Sequence, residues 1–86
     1  LSTVYVVDDQ LRLVGILAIQ DAIRAQRNGL AIGDVMRREV QTTTPDALVA
    51  DIMPMAAEAA YPIAVVDGDG RLQGIVTKAS VLASLI

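Results

Sequence analysis

The chain has 86 residues, 53% of them hydrophobic, with a net charge of −3, no Cys and no His. That balance fits one small domain and excludes disulfides, thiolate or imidazole metal sites, and Ser-His or Cys-His nucleophilic catalysis. It leaves no basic footprint for nucleic acid or an anionic membrane surface, and the longest apolar run, residues 13–19, is far below the ~20 residues that span a bilayer.

The N-terminal "LSTVYVVDD" lacks the basic region and long apolar core of a secretory signal and reads as a strand entered midway, so the chain is read as a fragment of something longer. With Tyr5 and Tyr61 as the two aromatic residues, the core must be built of Val, Ile, Leu, Ala and Met. A polar turn at Asp9-Gln10-Leu11 leads to a second strand through Gly15-Ile16. Residues 20–27 then follow as a helix with Ile19, Ala22 and Ile23 on one face and Asn28-Gly29 as its stop signal. Arg37-Arg38 reads as a solvated pair in a loop.

A short strand over residues 40–43 precedes a helix expected to enter at Thr44 with Pro45 at its first position. Leu48, Ile52, Met55 and Ala59 mark the stripe expected to be buried, and Pro54 should kink or split that helix because it lacks an N–H. Met36, Met53 and Met55, with no Cys or His beside them, read as core residues and not as a soft metal site.

The remainder repeats the beginning. "YVVDDQLRLVGILAIQDAI" lies without gaps over "AVVDGDGRLQGIVTKASVL", Gly15 on Gly74 at an offset of 59, with identities at Val6, Val7, Asp8, Arg12, Leu13, Gly15 and Ile16. Chance is a poor account of so many matches in one window, so two units related by an approximate twofold axis are expected. The second has strand, helix, strand, strand and helix, the last over residues 78–86, whereas the first shows its final three elements.

In "VVDGDGRLQGIVT" the glycines of a dinucleotide cradle would have to open a helix, but residues 72–77 are strand-like. A calcium loop would place Arg71 among its ligands and has no closing Glu. A hairpin turn remains, and the loss of every glycine from the equivalent turn of the first unit agrees with that.

"YPIAVVDGDGRLQGIVTKASVLASL", preceded by "IGDVMRREVQTTTPDALVADIM", resembles the cystathionine-β-synthase (CBS) motif, whose tandem pairs form α/β regulatory modules of β-α-β-β-α units. Asp34-Val35-Met36, Thr44-Pro45, Pro62-x-x-Val65-Val66-Asp67 and Gly74-Ile75-Val76-Thr77 carry the likeness together. It is complete over residues 32–86 and partial over 1–31. "AIRAQRNGL" and "GIVTK" are most similar to the C-terminal CBS pair of ATP-binding subunits of glycine betaine/proline ABC transporters.

That resemblance implies a non-catalytic cytoplasmic module at the inner face of the cell membrane. Its partners would be a second copy, the parent ATPase domain and the membrane permease. It requires no cofactor, and AMP, ADP, ATP or cyclic di-AMP are the regulatory ligands implied. Asp21, Thr42, Thr43, Pro62, Ile63, Thr77 and Ser80 are the implied nucleotide contacts. The family's Gly-h-h-Thr/Ser-x-x-Asp pattern is half kept in each unit: Gly15, Ala18 and Asp21 in the first, Gly74, Thr77 and Ser80 in the second.

Helix capping is the competing reading of Asp21 and Thr77, and strand and N-cap roles that of Thr42, Thr43 and Thr44. Three functions compete: a regulatory module, a purely structural dimerisation element, and an enzyme relying on Asp67, Asp69 and Glu58, which lie on a turn and a solvated helix face. Undercovered apolar faces of "VYVV" and "LVGILAI" lead to an expectation of self-association, as a dimer or larger.

Overall fold

The computed structural model describes residues 3–83. Two hairpins organise it. In the first, β1 (Thr3–Val7) pairs antiparallel with β2 (Leu13–Ala18), and α1 (Ile19–Arg27) follows. A one-turn helix α2 (Ile32–Val35) leads into the second unit, where β3 (Thr42–Thr43) runs parallel to β4 (Ile63–Val66) and β4 pairs antiparallel with β5 (Leu72–Val76). Helices α3 (Val49–Glu58) and α4 (Lys78–Ala83) pack on that sheet, giving the mixed α/β architecture of CBS units expected from the motifs. The expected end of α4, residues 84–86, lies outside the described residues.

The turns have one design. In each, a three-residue loop closes with its last residue left-handed, Leu11 at φ 66 and Gly70 at φ 82. Asp8 Oδ1 accepts from the amides of Gln10 and Arg12, and Asp67 Oδ1 accepts from those of Asp69 and Arg71, all at 2.9 Å. These amides hold both carboxyls below the ordinary aspartate range, the bond from residue 12 or 71 contributing most.

The turns also join each other. The Leu13 amide donates to the Gly70 carbonyl and the Leu72 amide to the Leu11 carbonyl, each at 2.9 Å. Each bond is the image of the other at the offset of 59, so a local twofold passes between Arg12 and Arg71, which form the bridge between the sheets.

Around α3 the structure corrects the sequence reading. Thr44 does not open a helix: its carbonyl accepts from Ala47 at 3.1 Å in a turn, and the helix starts four residues later, after Leu48. Pro45, whose ring disfavours a helical residue before it, therefore sits in the turn. Half of the expected stripe holds: Ile52 and Ala59 pack against the core, whereas Leu48 is 69% exposed and Met55 37%, and the most buried residue of the helix is Ala56 at 1%. Ala56, Ile63 and Val81 form the core of this unit, with Ile52, Met53, Ala59 and Val76 packed around them. A small residue faces α4, which lets the two helices approach closely. Pro54 does not split α3, which runs unbroken through it.

In the first unit Ile16, Leu17 and Ala25 are buried, whereas Ile19 and Ile23, expected on one apolar face, are exposed. The strand expected over residues 40–43 is confined to Thr42 and Thr43.

Candidate functional site

The end of β2 and the start of α1 form one wall of a cleft of ≈290 Å³, with Ile16, Ala18 and Asp21 along it. The opposite wall is the segment after α2, Val35, Met36 and Arg37, and Tyr61 closes one end. A reciprocal backbone pair ties the walls together: the Ile16 amide donates to the Arg37 carbonyl at 2.9 Å and the Arg37 amide to the Ile16 carbonyl at 2.8 Å. Gly15 permits this approach, since a Cβ there would lie 2.8 Å from Met36 Sδ and 3.0 Å from the Arg37 carbonyl oxygen.

The Arg37 guanidinium lies over the Tyr61 ring, 5.1 Å from its centroid. Asp21 Oδ1 accepts from Arg24 at 2.8 Å, one turn along α1, a spacing at which opposite charges meet on a helix. The cleft thus presents a carboxylate, a guanidinium and an aromatic face. A carboxylate can accept from paired hydroxyls and a guanidinium can pair with an anion, which is chemistry suited to a polar, anionic small molecule. An adjoining hollow of ≈210 Å³ shares Ile16, Arg37 and Tyr61 and adds Pro62.

A second cleft, ≈310 Å³, lies between α3, α4 and the sheet, and it brings Thr43 and Ser80 together with Thr44, Pro45, Ile52, Met53 and Val76. Its walls are largely apolar. Thr77 is occupied with its own helix: its Oγ1 accepts from the Ser80 amide at 3.0 Å and donates to Ser80 Oγ at 2.8 Å. Thr42 lines a third hollow beside Leu13, Val40 and Gly70, and Ile63, at 0% exposed, belongs to the core.

The seven residues named from the sequence therefore do not converge on one place. Asp21 and Pro62 lie on the Arg37–Tyr61 side, Thr43 and Ser80 in the apolar cleft. Val35, Met36, Arg37 and Tyr61 were not among the residues named. The one local signal for them was Gly15, a glycine inside a strand, which marks a close backbone approach. Arg37 is not simply a solvated loop residue: though exposed, it is fixed by its backbone pair and its stacking.

Among the described residues no helix is long and apolar enough to cross a membrane, and no cluster of three or more acidic side chains could hold a metal ion. The profile of the CBS domain family matches residues 32–86, and the chain belongs to that family. It is 32% identical over 85 residues to the glycine betaine transport ATP-binding protein OpuAA of Bacillus subtilis (strain 168), covering 99% of this chain and 20% of that protein. It is 36% identical over 85 residues to the glycine betaine/carnitine transport ATP-binding protein GbuA of Listeria monocytogenes, covering 98% and 21%. The chain thus spans about a fifth of the length of these relatives.

Among solved structures, Staphylococcus aureus OpuCA superposes with a TM-score of 0.89 at 28% identity, over 99% of this chain and 73% of that one. The cytosolic domain of the Mg2+ channel MgtE in complex with ATP gives 0.82 at 32%, over 95% and 33%. CBSX2 in complex with AMP gives 0.79 at 26%, over 96% and 70%.

Proposed function

We propose that this CBS module is a non-catalytic regulatory part of an ABC transporter ATP-binding subunit serving glycine betaine uptake, at the cytoplasmic face of the membrane, and that the Asp21–Arg37–Tyr61 cleft takes an adenine nucleotide. Residues 1–31 act as a partial first motif and 32–86 as the second. The observation that carries the reading is this cleft between the two motifs, with Asp21 opposite a guanidinium stacked on an aromatic ring. The glycine betaine transport relatives support the parent, and the ATP- and AMP-bound structural relatives support the ligand class.

The test is a thermal-shift titration with AMP, ADP, ATP and cyclic di-AMP on the native chain and on Asp21→Ala and Arg37→Ala. A ligand at a hundred times its dissociation constant adds about 2.7 kcal/mol, which moves the midpoint of a domain this small by on the order of ten degrees. A shift lost in both variants supports the reading. No shift with any of the four overturns it.

A second reading, a structural dimerisation element, draws on different facts. Thr77 and Ser80 satisfy each other, and Ile19, Ile23 and Leu82 are 42%, 47% and 51% exposed. Sedimentation equilibrium separates the two: a dimer that binds no nucleotide supports the second reading, and a monomer at tens of micromolar overturns it.

A further inference from the structure

Asn28 is the one asparagine of the chain, and a glycine follows it. Both residues are exposed, and they close α1. The Leu30 amide donates to the Ala25 carbonyl at 2.9 Å and the Gly29 amide to the Gln26 carbonyl at 3.3 Å, with Gly29 left-handed at φ 65. These are the paired bonds of a Schellman cap, in which the residues after the helix satisfy its last carbonyls. The cap is also the link between the walls of the Asp21 cleft. Residues 28–31 join α1, which carries Asp21, to α2, after which Met36 and Arg37 follow.

The Asn-Gly pair has a chemistry of its own. An asparagine side chain holds an electrophilic carbon, Cγ, within reach of the next residue's amide nitrogen, and glycine has no Cβ to crowd that nitrogen. At Gly29 even an added Cβ would meet nothing within 4 Å, so the approach is open. Among the described residues no hydrogen bond restrains the Asn28 side chain. The Asp-Gly pairs of the β4–β5 turn differ: Asp67 Oδ1 accepts from the amides of Asp69 and Arg71, and Asp69 pairs with Arg71 at 3.3 Å. In the folded chain the cap holds the Asn28 reaction back. Asn28 has ψ 5, which turns the Gly29 nitrogen out of line with the Asn28 Cβ, and the Gly29 hydrogen lies on the Gln26 carbonyl. Both must be given up before that nitrogen reaches Cγ, and the end of a helix is where local opening costs least.

We propose that Asn28 is a site of spontaneous covalent modification, gated by opening of the α1 cap. The Gly29 nitrogen bonds to Asn28 Cγ and loses its proton, while the Cγ–Nδ2 bond breaks and Nδ2 leaves as ammonia. Water then opens the resulting succinimide. Cleavage between the ring nitrogen and Cγ gives aspartate. Cleavage between the ring nitrogen and the α-carbonyl gives isoaspartate, whose main chain runs through Cβ and Cγ. Nothing is oxidised or reduced, since a carboxamide and water become a carboxylate and ammonia. Either product puts a negative charge at the C-terminal end of α1, where the helix dipole disfavours it. Isoaspartate also lengthens the link by a methylene, so the bonds from Gly29 and Leu30 no longer meet their carbonyls and the connection between the cleft walls loosens.

The test is incubation of the 86-residue chain at mildly alkaline pH, folded in buffer and unfolded in urea. Ion exchange separates the acidic species, and fragment mass spectrometry of the α1 peptide identifies it. Isoaspartate and aspartate should both accumulate at residue 28, on the order of tenfold faster in urea. Asn28→Gln, whose longer side chain closes the ring poorly, should keep the thermal midpoint and yield no acidic species at that position. In the modified, refolded chain the Leu30 amide should lose its protection from hydrogen exchange while Leu13–Ala18 keeps its own. No conversion in urea overturns the reactivity, and equal rates in the folded and unfolded chain overturn the cap as its gate. Aspartate without isoaspartate overturns the ring, and an unchanged Leu30 amide overturns the loosened link. None of these readouts depends on nucleotide binding at Asp21.

Discussion

Replacing Gly15 and Gly74 by alanine, one at a time, makes the same chemical change at two positions that the fold treats as equivalent. Neither backbone is left-handed, so the substitution carries no conformational penalty at either. At Gly74 the added methyl meets nothing within 4 Å. The remaining effect is the smaller entropy of the unfolded chain, a gain of about 0.4–1 kcal/mol. At Gly15 the methyl would lie 2.8 Å from Met36 Sδ and 3.1 Å from its Cγ, which a rotation of that side chain can relieve. It would also lie 3.0 Å from the Arg37 carbonyl oxygen, which cannot retreat without stretching its 2.9 Å bond from the Ile16 amide. Overpacking of this kind costs about 1–3 kcal/mol. The unfolded-state gain is common to both alanines, so they should differ by the overpacking cost, roughly 1–3 kcal/mol, about 4–24 °C in midpoint for a chain of this size. Urea unfolding of both variants and the parent, with m unchanged, measures the difference. Equal effects within about 0.5 kcal/mol would refute the claim that a backbone approach distinguishes these glycines.

Three further outcomes are expected. Leu11→Gly should stabilise the chain by up to about 1 kcal/mol, because left-handed backbone costs a residue with a Cβ roughly 1–2 kcal/mol and the exposed Leu11 side chain buries little; a lower urea midpoint would contradict it. Thr77→Ala removes the acceptor for the Ser80 amide and should cost about 1 kcal/mol, read as a lowered thermal midpoint with no ligand present. Asp8 and Asp67 have folded pKa values below their unfolded ones, so their stabilisation is present above the ordinary carboxylate pKa and is lost as pH falls through the lowered values. Asp67→Asn keeps an oxygen for the turn amides but no titration, so the acid-side decline in urea midpoint should become shallower, and an unchanged decline would count against the turn as its source.

The repeat was legible in the residues because it is local. Asp8 and Asp67, Arg12 and Arg71, Gly15 and Gly74 each specify backbone geometry within a few positions, and the reciprocal bonds of Leu13 and Leu72 fall where that offset puts them. Helix α1 was legible from its Asn28-Gly29 stop, and Gly29 is left-handed at φ 65. The phase of α3 was legible only in part. Of the stripe read from the spacing, Ile52 and Ala59 pack against the core while Leu48 and Met55 are exposed, and the most buried residue of the helix is Ala56, too small to mark a stripe of bulky side chains. Spacing of bulky residues finds a stripe only where bulk fills the interface.

The cleft was half legible for a related reason. Asp21 belongs to a short pattern beginning at Gly15 and can be named from it. Arg37 and Tyr61 reach the same cleft through a backbone pair between Ile16 and Arg37 and a ring contact between residues distant in sequence, and neither leaves a local mark. A duplicated sequence transmits conformation to both copies but not surroundings. Gly15 and Gly74 are the same residue in the same strand position, yet one touches Met36 and the other is bare, because what covers a strand edge is decided by a segment that lies elsewhere in the chain. The two halves of the ligand pattern likewise meet different surroundings: Asp21 faces Arg37 and Tyr61 across one cleft, whereas Ser80 lines the apolar cleft between α3, α4 and the sheet and is hydrogen-bonded to Thr77. A motif read residue by residue therefore gives the candidates, and the segments packed beside each strand decide what chemistry stands opposite them.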